Sequence, residues 1–305
     1  MDTKAKSGRR FITPVLEPGM TVGTAFKAIA MAALAQVAGN AEDLRQSPSA
    51  EVVHQLRVGV RRLQGTISAF NPIVSDQSMH AVKVELKWLM GELNPARNLD
   101  VFLAGAFSRA SRVRRDEENL ADWGKKLQTA RKAAYIRARH AVESDRFSAL
   151  LLAISTWIAG GPWTGANSKK ASRRDGPVGE FAASALEKAR GRARMRPRRF
   201  ERVGRAARHK LRIKTKTLRY IADVFDGLFT THPRRATRFV GRIKVLLDCL
   251  GELNDIATGE GFIDHGSAFR RLNDRQASRE KRFMGLARHA LAAFRNTKKF
   301  WPEAT

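Results

Sequence analysis

Cysteine is nearly absent from this chain. Cys249 is the only one in 305 residues. No intramolecular disulfide can form and no cysteine metal cluster exists, which suits a reducing cytosol. Only two tyrosines occur and β-branched runs are few, so strands are disfavoured. Long apolar runs are also missing. The stretch from Ala25 to Ala38 contains Lys27 and Gln36 and reads as too short and too polar to span a bilayer. Pro14, Glu17 and Pro18 follow the basic residues Lys4, Lys6, Arg9 and Arg10, a poor order for a secretory signal. No His-x-x-x-His or Glu-x-x-x-His pair and no GxxxxGKS loop occurs, so the helical zinc motif and the P-loop are excluded. The expectation is a soluble, cytoplasmic protein with no metal and no cofactor.

Acids are scarce as well. Lys plus Arg number 57 against 29 Asp plus Glu, a formal net charge of +28. Such a field repels itself and costs stability, so an anionic partner is the usual reason to carry it. The excess is uneven. Residues 1–160 hold 23 basic and 15 acidic side chains, and residues 161–305 hold 34 and 14. Residues 188–219 alone hold 15 basic residues and one acid, Glu201. A solvated helix face or a disordered tail would look similar, but apolar residues recur at helical spacing through the second part of this segment.

What remains abundant is Ala, Leu, Arg and Lys, and the pattern is helical nearly throughout. A first apolar-rich helix covers 21–40. Ser47-Pro48 reads as an N-cap and first helical position, opening a helix that runs to about Phe70 and stops at Asn71-Pro72. A third helix covers roughly 76–91, and Asn94-Pro95 reads as a break from which a fourth starts. Residues 116–142 and 146–159 read as two more. Apolar periodicity vanishes over 161–177, a Gly/Pro/Lys/Arg-rich linker that includes Lys169 and Lys170. It resumes at Val178 and continues through about 202–228, 233–250, 253–264 and 269–297. The domain reading is therefore an N-terminal helical half over 18–160, a linker over 161–177 and a C-terminal helical half over 178–297.

The chain repeats itself. Residues 53–70, VHQLRVGVRRLQGTISAF, align with residues 208–225, RHKLRIKTKTLRYIADVF. His54 meets His209, Leu56 meets Leu211, Arg57 meets Arg212, Arg61 meets Lys216, Leu63 meets Leu218 and Phe70 meets Phe225. One helix later, Gly91-Glu92-Leu93-Asn94 recurs as Gly251-Glu252-Leu253-Asn254. Two matched blocks in the same order mark a duplicated helical unit.

On a wheel of ~100° per residue, His54, Arg57 and Arg61 share one stripe, Arg62 lies on its other flank, and Leu56, Val60, Leu63, Ile67 and Phe70 form the apolar side. His209, Arg212 and Lys216 align the same way, with Arg219 one turn on and Lys210 beside them. Like charges at such spacing destabilise a helix by ~0.2–0.5 kcal/mol per pair, so the rows imply a binding surface. Guanidinium groups donate bidentate bonds to phosphate. Lys83 and Lys87 form a row on the next helix, with Trp88 read as core. Arg238, Arg242 and Lys244 lie in the second half, where Arg235 precedes them. Arg97, after the Asn94-Pro95 break, would join an anion site at a helix N-terminus. The competing reading pairs these cations with Glu85, Glu92, Asp100, Glu252 and Asp255. His54 and His209 read as half-buried donors that orient their helices, a role compatible with donation to phosphate.

At these residues the chain resembles the CHAD family, the conserved histidine α-helical domain. The hallmark segments are VHQLRVGVRRL and RHKLRIKTKTLRY, with GELNPARNLDVF and GELND as the following turns. The resemblance spans roughly 18–297. It departs at Gln64, Asn98 and Thr217, where the family pattern often carries other residues. It implies an all-α fold of two four-helix-bundle-like halves related by pseudo-two-fold symmetry around a basic central groove. It also implies non-catalytic binding of inorganic polyphosphate, and for some members association with polyphosphate or polyhydroxyalkanoate granules. The alternative is a nucleic-acid-binding basic helical protein, against which no DNA- or RNA-reading motif and no interleaved aromatics appear. An enzyme acting on phosphoanhydrides would need acidic metal ligands near the basic face. The acids Asp116, Glu117 and Glu118 read instead as a solvated helix start.

Overall fold

Apolar stripes at helical spacing dictate the architecture, and the described elements are all helical apart from one isolated bridge between Thr21 and Pro177. The computed structural model describes residues 8–17, 19–108, 118–165, 170–260 and 270–302. Its helices are α1 (Val22–Gln46), α2 (Ala50–Ala69), a single turn α3 (Asn71–Val74), α4 (Gln77–Phe102), α5 (Glu118–Glu143), α6 (Asp145–Gly160), α7 (Ala171–Asp175), α8 (Val178–Ala193), α9 (Pro197–Arg202), α10 (Arg205–Phe225), α11 (Pro233–Glu260) and α12 (Arg270–Arg295). A π-helical turn, Leu103–Phe107, extends α4.

The chain forms two compact units. One comprises residues 1–100 and 127–181, the other residues 101–126 and 182–305. In the first, α1 lies along α2 and also meets α6 and α7. Phe26 is fully buried at the centre of an aromatic cluster, with ring centroids 5.4 Å from Phe70, 5.6 Å from Trp157 and 5.1 Å from Trp163. The indole of Trp157 donates to Asp76 and that of Trp163 to the Trp157 carbonyl, so the polar handles of both rings are satisfied. In the second unit, α11 packs on α10 and α12, and α9 packs on α12. Its core gathers Phe239, Phe294, Phe300 and Trp301. Residues 101–126 contribute Phe102, Phe107 and Trp123, whose rings meet edge-on. Phe102 also lies against Gly259 of α11, where an added Cβ would stand 3.2 Å from its ring.

Several boundaries differ from the sequence reading, and a short helix, α7, lies within the stretch read as a linker. Ser47 closes α1, its N–H donating to the Asp43 carbonyl at 2.8 Å, because the buried Ala41, Asp43 and Leu44 prolong that helix. The N-cap of α2 is therefore Ser49, whose hydroxyl accepts from Val52 N–H at 3.2 Å. Asn94-Pro95 does not break α4. Leu89 and Leu93 before the proline and Ala96 and Leu99 after it are all buried, and this unbroken stripe outweighs the ~3 kcal/mol that an interior proline costs. Likewise Leu250, Leu253 and Ile256 carry α11 straight through the expected gap at 251–252. Finally, α1 is long and apolar enough by composition to cross a bilayer, yet Phe26, Ile29, Ala33, Val37 and Leu44 are buried within the first unit.

The α1–α2 contact is close because Gly59 lacks a side chain. A Cβ there would stand 3.1 Å from Val37 Cγ2 and 3.3 Å from the Val37 nitrogen. Gly59→Val is expected to push the helices apart at a cost of about 1–3 kcal/mol, read as a lower midpoint in thermal unfolding. An unchanged midpoint would mean that the interface yields more easily than its packing implies.

Candidate functional site

The duplicated helix and the GELN block meet inside each unit. In the first, α2 presents His54, Arg57 and Arg61, all half-buried, while its apolar stripe from Leu56 to Phe70 is buried. Asn94 of α4 accepts from Arg57 Nε at 3.1 Å. In the second, α10 presents Arg212 and Lys216, half-buried, and His209, exposed. Asn254 of α11 accepts from His209 Nδ1 at 2.6 Å. The asparagine thus touches the basic row both times, one turn apart in register. Sequence reasoning matched these asparagines as repeat markers but gave them no contact, because an amide at a helix surface carries no signal of its own.

The glutamate of each block faces the other way. Glu92 takes a two-pronged bond from Arg137 of α5, with Nη2 to Oε1 at 3.0 Å, and Glu252 binds Arg279 of α12. The Arg137 hydrogen bond holds the Glu92 carboxyl below its ordinary range. Glu85 is lowered the same way by Arg146, whose guanidinium also lies 4.2 Å over the Trp88 ring. Trp88 is thus a half-buried platform. Asp100, buried, receives Arg131 Nε and the Tyr135 hydroxyl, each at 2.7 Å. Four of the five acids that might have neutralised the basic rows are therefore bonded to arginines of other helices.

The remaining basic candidates divide. Lys83 and Lys87 stand eleven and seven residues before Asn94, within ~20° of it on a regular helix, so they extend the α2 row onto α4. Lys83 is half-buried and reaches Asn71 Oδ1 at 3.4 Å, and Lys87 is exposed. Arg97 is half-buried inside α4. The helix start expected there does not exist, so no free N–H groups accompany it. Arg62 is engaged elsewhere, donating to Gln36 at 3.2 Å and stacking 3.9 Å over Phe11 of the N-terminal segment. Arg219 is bonded to Asp223 at 2.8 Å. Arg238, Arg242 and Lys244 are exposed on α11. The first two lie sixteen and twelve residues before Asn254, ~160° and ~120° around the helix from it, so they face away from the α10 row.

A cavity of about 420 Å³ opens in the second unit where the first turns of α10 cross α11. Arg205, Arg208, His209 and Lys210 edge it on one side and Leu250, Leu253, Asn254 and Ala257 on the other. Arg205 and Arg208 share the Glu280 carboxylate of α12, at 2.9 and 3.1 Å. Neither arginine was singled out from the sequence, since they fall outside the repeated row. Among the described residues, no three His, Cys, Asp or Glu side chains group as metal ligands would. Asp116 and Glu117, the acids weighed for an enzyme, lie outside the described residues, as does Lys169.

The profile of the CHAD domain matches residues 28–264. The fold is similar to the crystal structure of the CHAD domain from the plant Ricinus communis, at a TM-score of 0.68 and 24% identity over 95% of this chain and 93% of that one. It is also similar to PptA from Streptomyces chartreusis, at a TM-score of 0.58 and 17% identity over 91% and 99%. No curated protein matches.

Proposed function

The chain belongs to the CHAD domain family, and from that premise we propose that it binds inorganic polyphosphate, without catalysis, through the basic rows of α2 and α10. The observation that carries this reading is the twofold use of one arrangement. In both units a His-x-x-Arg row lies beside an asparagine of GELN, while the glutamate of the same block is occupied by an arginine of the next helix. Glu85, Glu92, Asp100 and Glu252 are each bonded to an arginine outside the rows, where they hold helices together. Arginine and lysine, with histidine as a further donor, place a hydrogen-bond donor to phosphate every ~5 Å along a helix at three- and four-residue spacing, which suits a chain carrying about one charge per phosphate. His54, Arg57, Arg61, Lys83 and Lys87 form the first face, and His209, Arg212 and Lys216 the second. Cytoplasmic residence, at polyphosphate or polyhydroxyalkanoate granules, is part of the same proposal.

Titration with polyphosphates of graded length across salt tests it. Counterion release predicts that log affinity falls linearly with log salt, by roughly 0.7 per phosphate neutralised if polyphosphate behaves as a single strand does. Duplex DNA is expected to displace long-chain polyphosphate only in large excess at physiological salt. Displacement at equal phosphate concentration would favour the nucleic-acid reading instead.

A further inference from the structure

The two units share the row but not its surroundings. Around the first row the extra cations sit on α4, at Lys83, Lys87 and Arg97. Carried over by the alignment of the GELN blocks, those positions in α11 are Ile243, Leu247 and Ala257. Around the second row the extra cations sit on the first turns of α10, at Arg205, Arg208 and Lys210. Their equivalents in α2 are Ala50, Val53 and Gln55. The exchange has a geometric result. Where the first unit has the long side chain of Arg97, the second has Ala257, and the space beside Ala257 belongs to the 420 Å³ cavity.

The cavity is two-faced. Arg205 and Arg208, which share the Glu280 carboxylate, together with Lys210 and the His209 ring, give it a basic wall at the start of a 21-residue helix whose N-cap, Gly204, has no side chain to cover the first N–H groups. Leu250, Leu253 and Ala257 give it an apolar wall, with the Asn254 and Thr258 polar groups beside it. An inorganic phosphate chain gains nothing from leucines, and pressing an anion against them costs solvation. A ligand with phosphates at one end and a flat apolar body at the other satisfies both walls. The volume falls within the ~300–1,000 Å³ of small-molecule sites.

We propose that this cavity binds a nucleoside polyphosphate, with its phosphates on the α10 side and its base against Leu250, Leu253 and Ala257. Asn254 and Thr258 then stand within the cavity to bond the sugar or base edge. The site is separate in ligand from the polyphosphate rows, although His209 borders both.

Calorimetric titration of the full chain with ATP and, separately, with inorganic tripolyphosphate tests the claim. The two anions are similarly charged, so the base is the variable. One ATP per chain is expected, bound at least ~10-fold tighter than tripolyphosphate because of the apolar area it buries. Equal affinity would overturn the proposal, and this comparison needs no variant. Ala257→Arg installs the first unit's residue and fills the cavity while adding a cation. ATP affinity is expected to fall ~10-fold or more, and long-chain polyphosphate affinity to hold or rise. A folded Ala257→Arg protein that keeps its ATP affinity would overturn the assignment. The two readings fail separately: ATP binding without polyphosphate binding removes the function proposed above and leaves this one standing, and the converse removes this one alone.

Discussion

Arg57→Glu combined with Arg212→Glu is expected to weaken polyphosphate binding by about 100-fold or more at moderate salt, with far-UV helicity retained. The two arginines are the repeat equivalents that carry a guanidinium in both units. Each substitution removes a cation from its row and puts an anion in its place, so repulsion replaces attraction. The salt dependence should change with the affinity. Neutralising two fewer phosphates makes the slope shallower by about 1.4 on the single-strand scale. Helicity should survive because the apolar stripes of α2 and α10 are untouched, and the bond from Arg57 Nε to Asn94 contributes only about 1 kcal/mol. The control is charge reversal at Lys126 and Lys132, both exposed on α5, which should change affinity by no more than about 3-fold. Lys170 is unsuitable for this purpose, since its ammonium is bonded to Ser75. An equal loss from the α5 reversals would mean that bulk charge, not the rows, does the binding. Arg57→Lys with Arg212→Lys should recover much but not all of the affinity, because a point charge replaces a planar fork.

Trp301→Ala is expected to cause the largest loss of stability, about 3–5 kcal/mol. Trp301 is 3% exposed. Its ring meets Phe239 and Phe300 edge-on, each at a centroid distance of 5.0 Å, and its indole N–H reaches Glu187 of α8 at 3.3 Å. Beside it, Arg190 of α8 donates to the Thr297 carbonyl at 3.0 Å. The segment after α12 therefore fastens α8 to the phenylalanine core of α11 and α12, and the indole is its largest anchor. Calorimetry should show a midpoint lower by on the order of 10 °C. Trp301→Phe, which keeps most of the ring area and loses the bond to Glu187, should cost less than half as much. A midpoint within about 2 °C of the parent protein's, well inside the expected shift, would refute the anchoring role assigned to this segment.

Much of the fold could be read from the chain because the duplicated helices obey their wheels closely. Leu56, Val60, Leu63 and Ile67 are buried as their spacing requires, and the His–Arg rows sit beside them. The errors arose where packing overrides a local signal. Pro95 looked like a stop, but burial on both sides keeps α4 continuous, and with that the anion site imagined for Arg97 loses its helix end. Ser47-Pro48 matched a capping pattern, but three more buried residues of α1 claimed Ser47 as their terminus. The candidate site was half legible. The rows repeat and so announce themselves. Arg205, Arg208 and Ala257 do not repeat, and their meaning comes from the space that a small residue leaves across from two arginines. On its wheel Arg62 flanks the cationic face, but in the fold it lies over Phe11, a contact between residues far apart in the chain that no wheel contains.

Because residues 101–126 pack with residues 182–305, their contacts cannot be completed until that later part of the chain is made. Phe102, Phe107 and Trp123 leave the ribosome early, but Gly259, against which Phe102 rests, is made far later. At ~5–20 residues per second, the ring of Phe102 waits roughly 10 s or more for that neighbour. Through that interval the face of Phe102 that rests on Gly259 is uncovered, the kind of surface on which nascent chains stick to one another. Folding yield during synthesis should therefore depend on chaperones more than the stability of the finished molecule suggests.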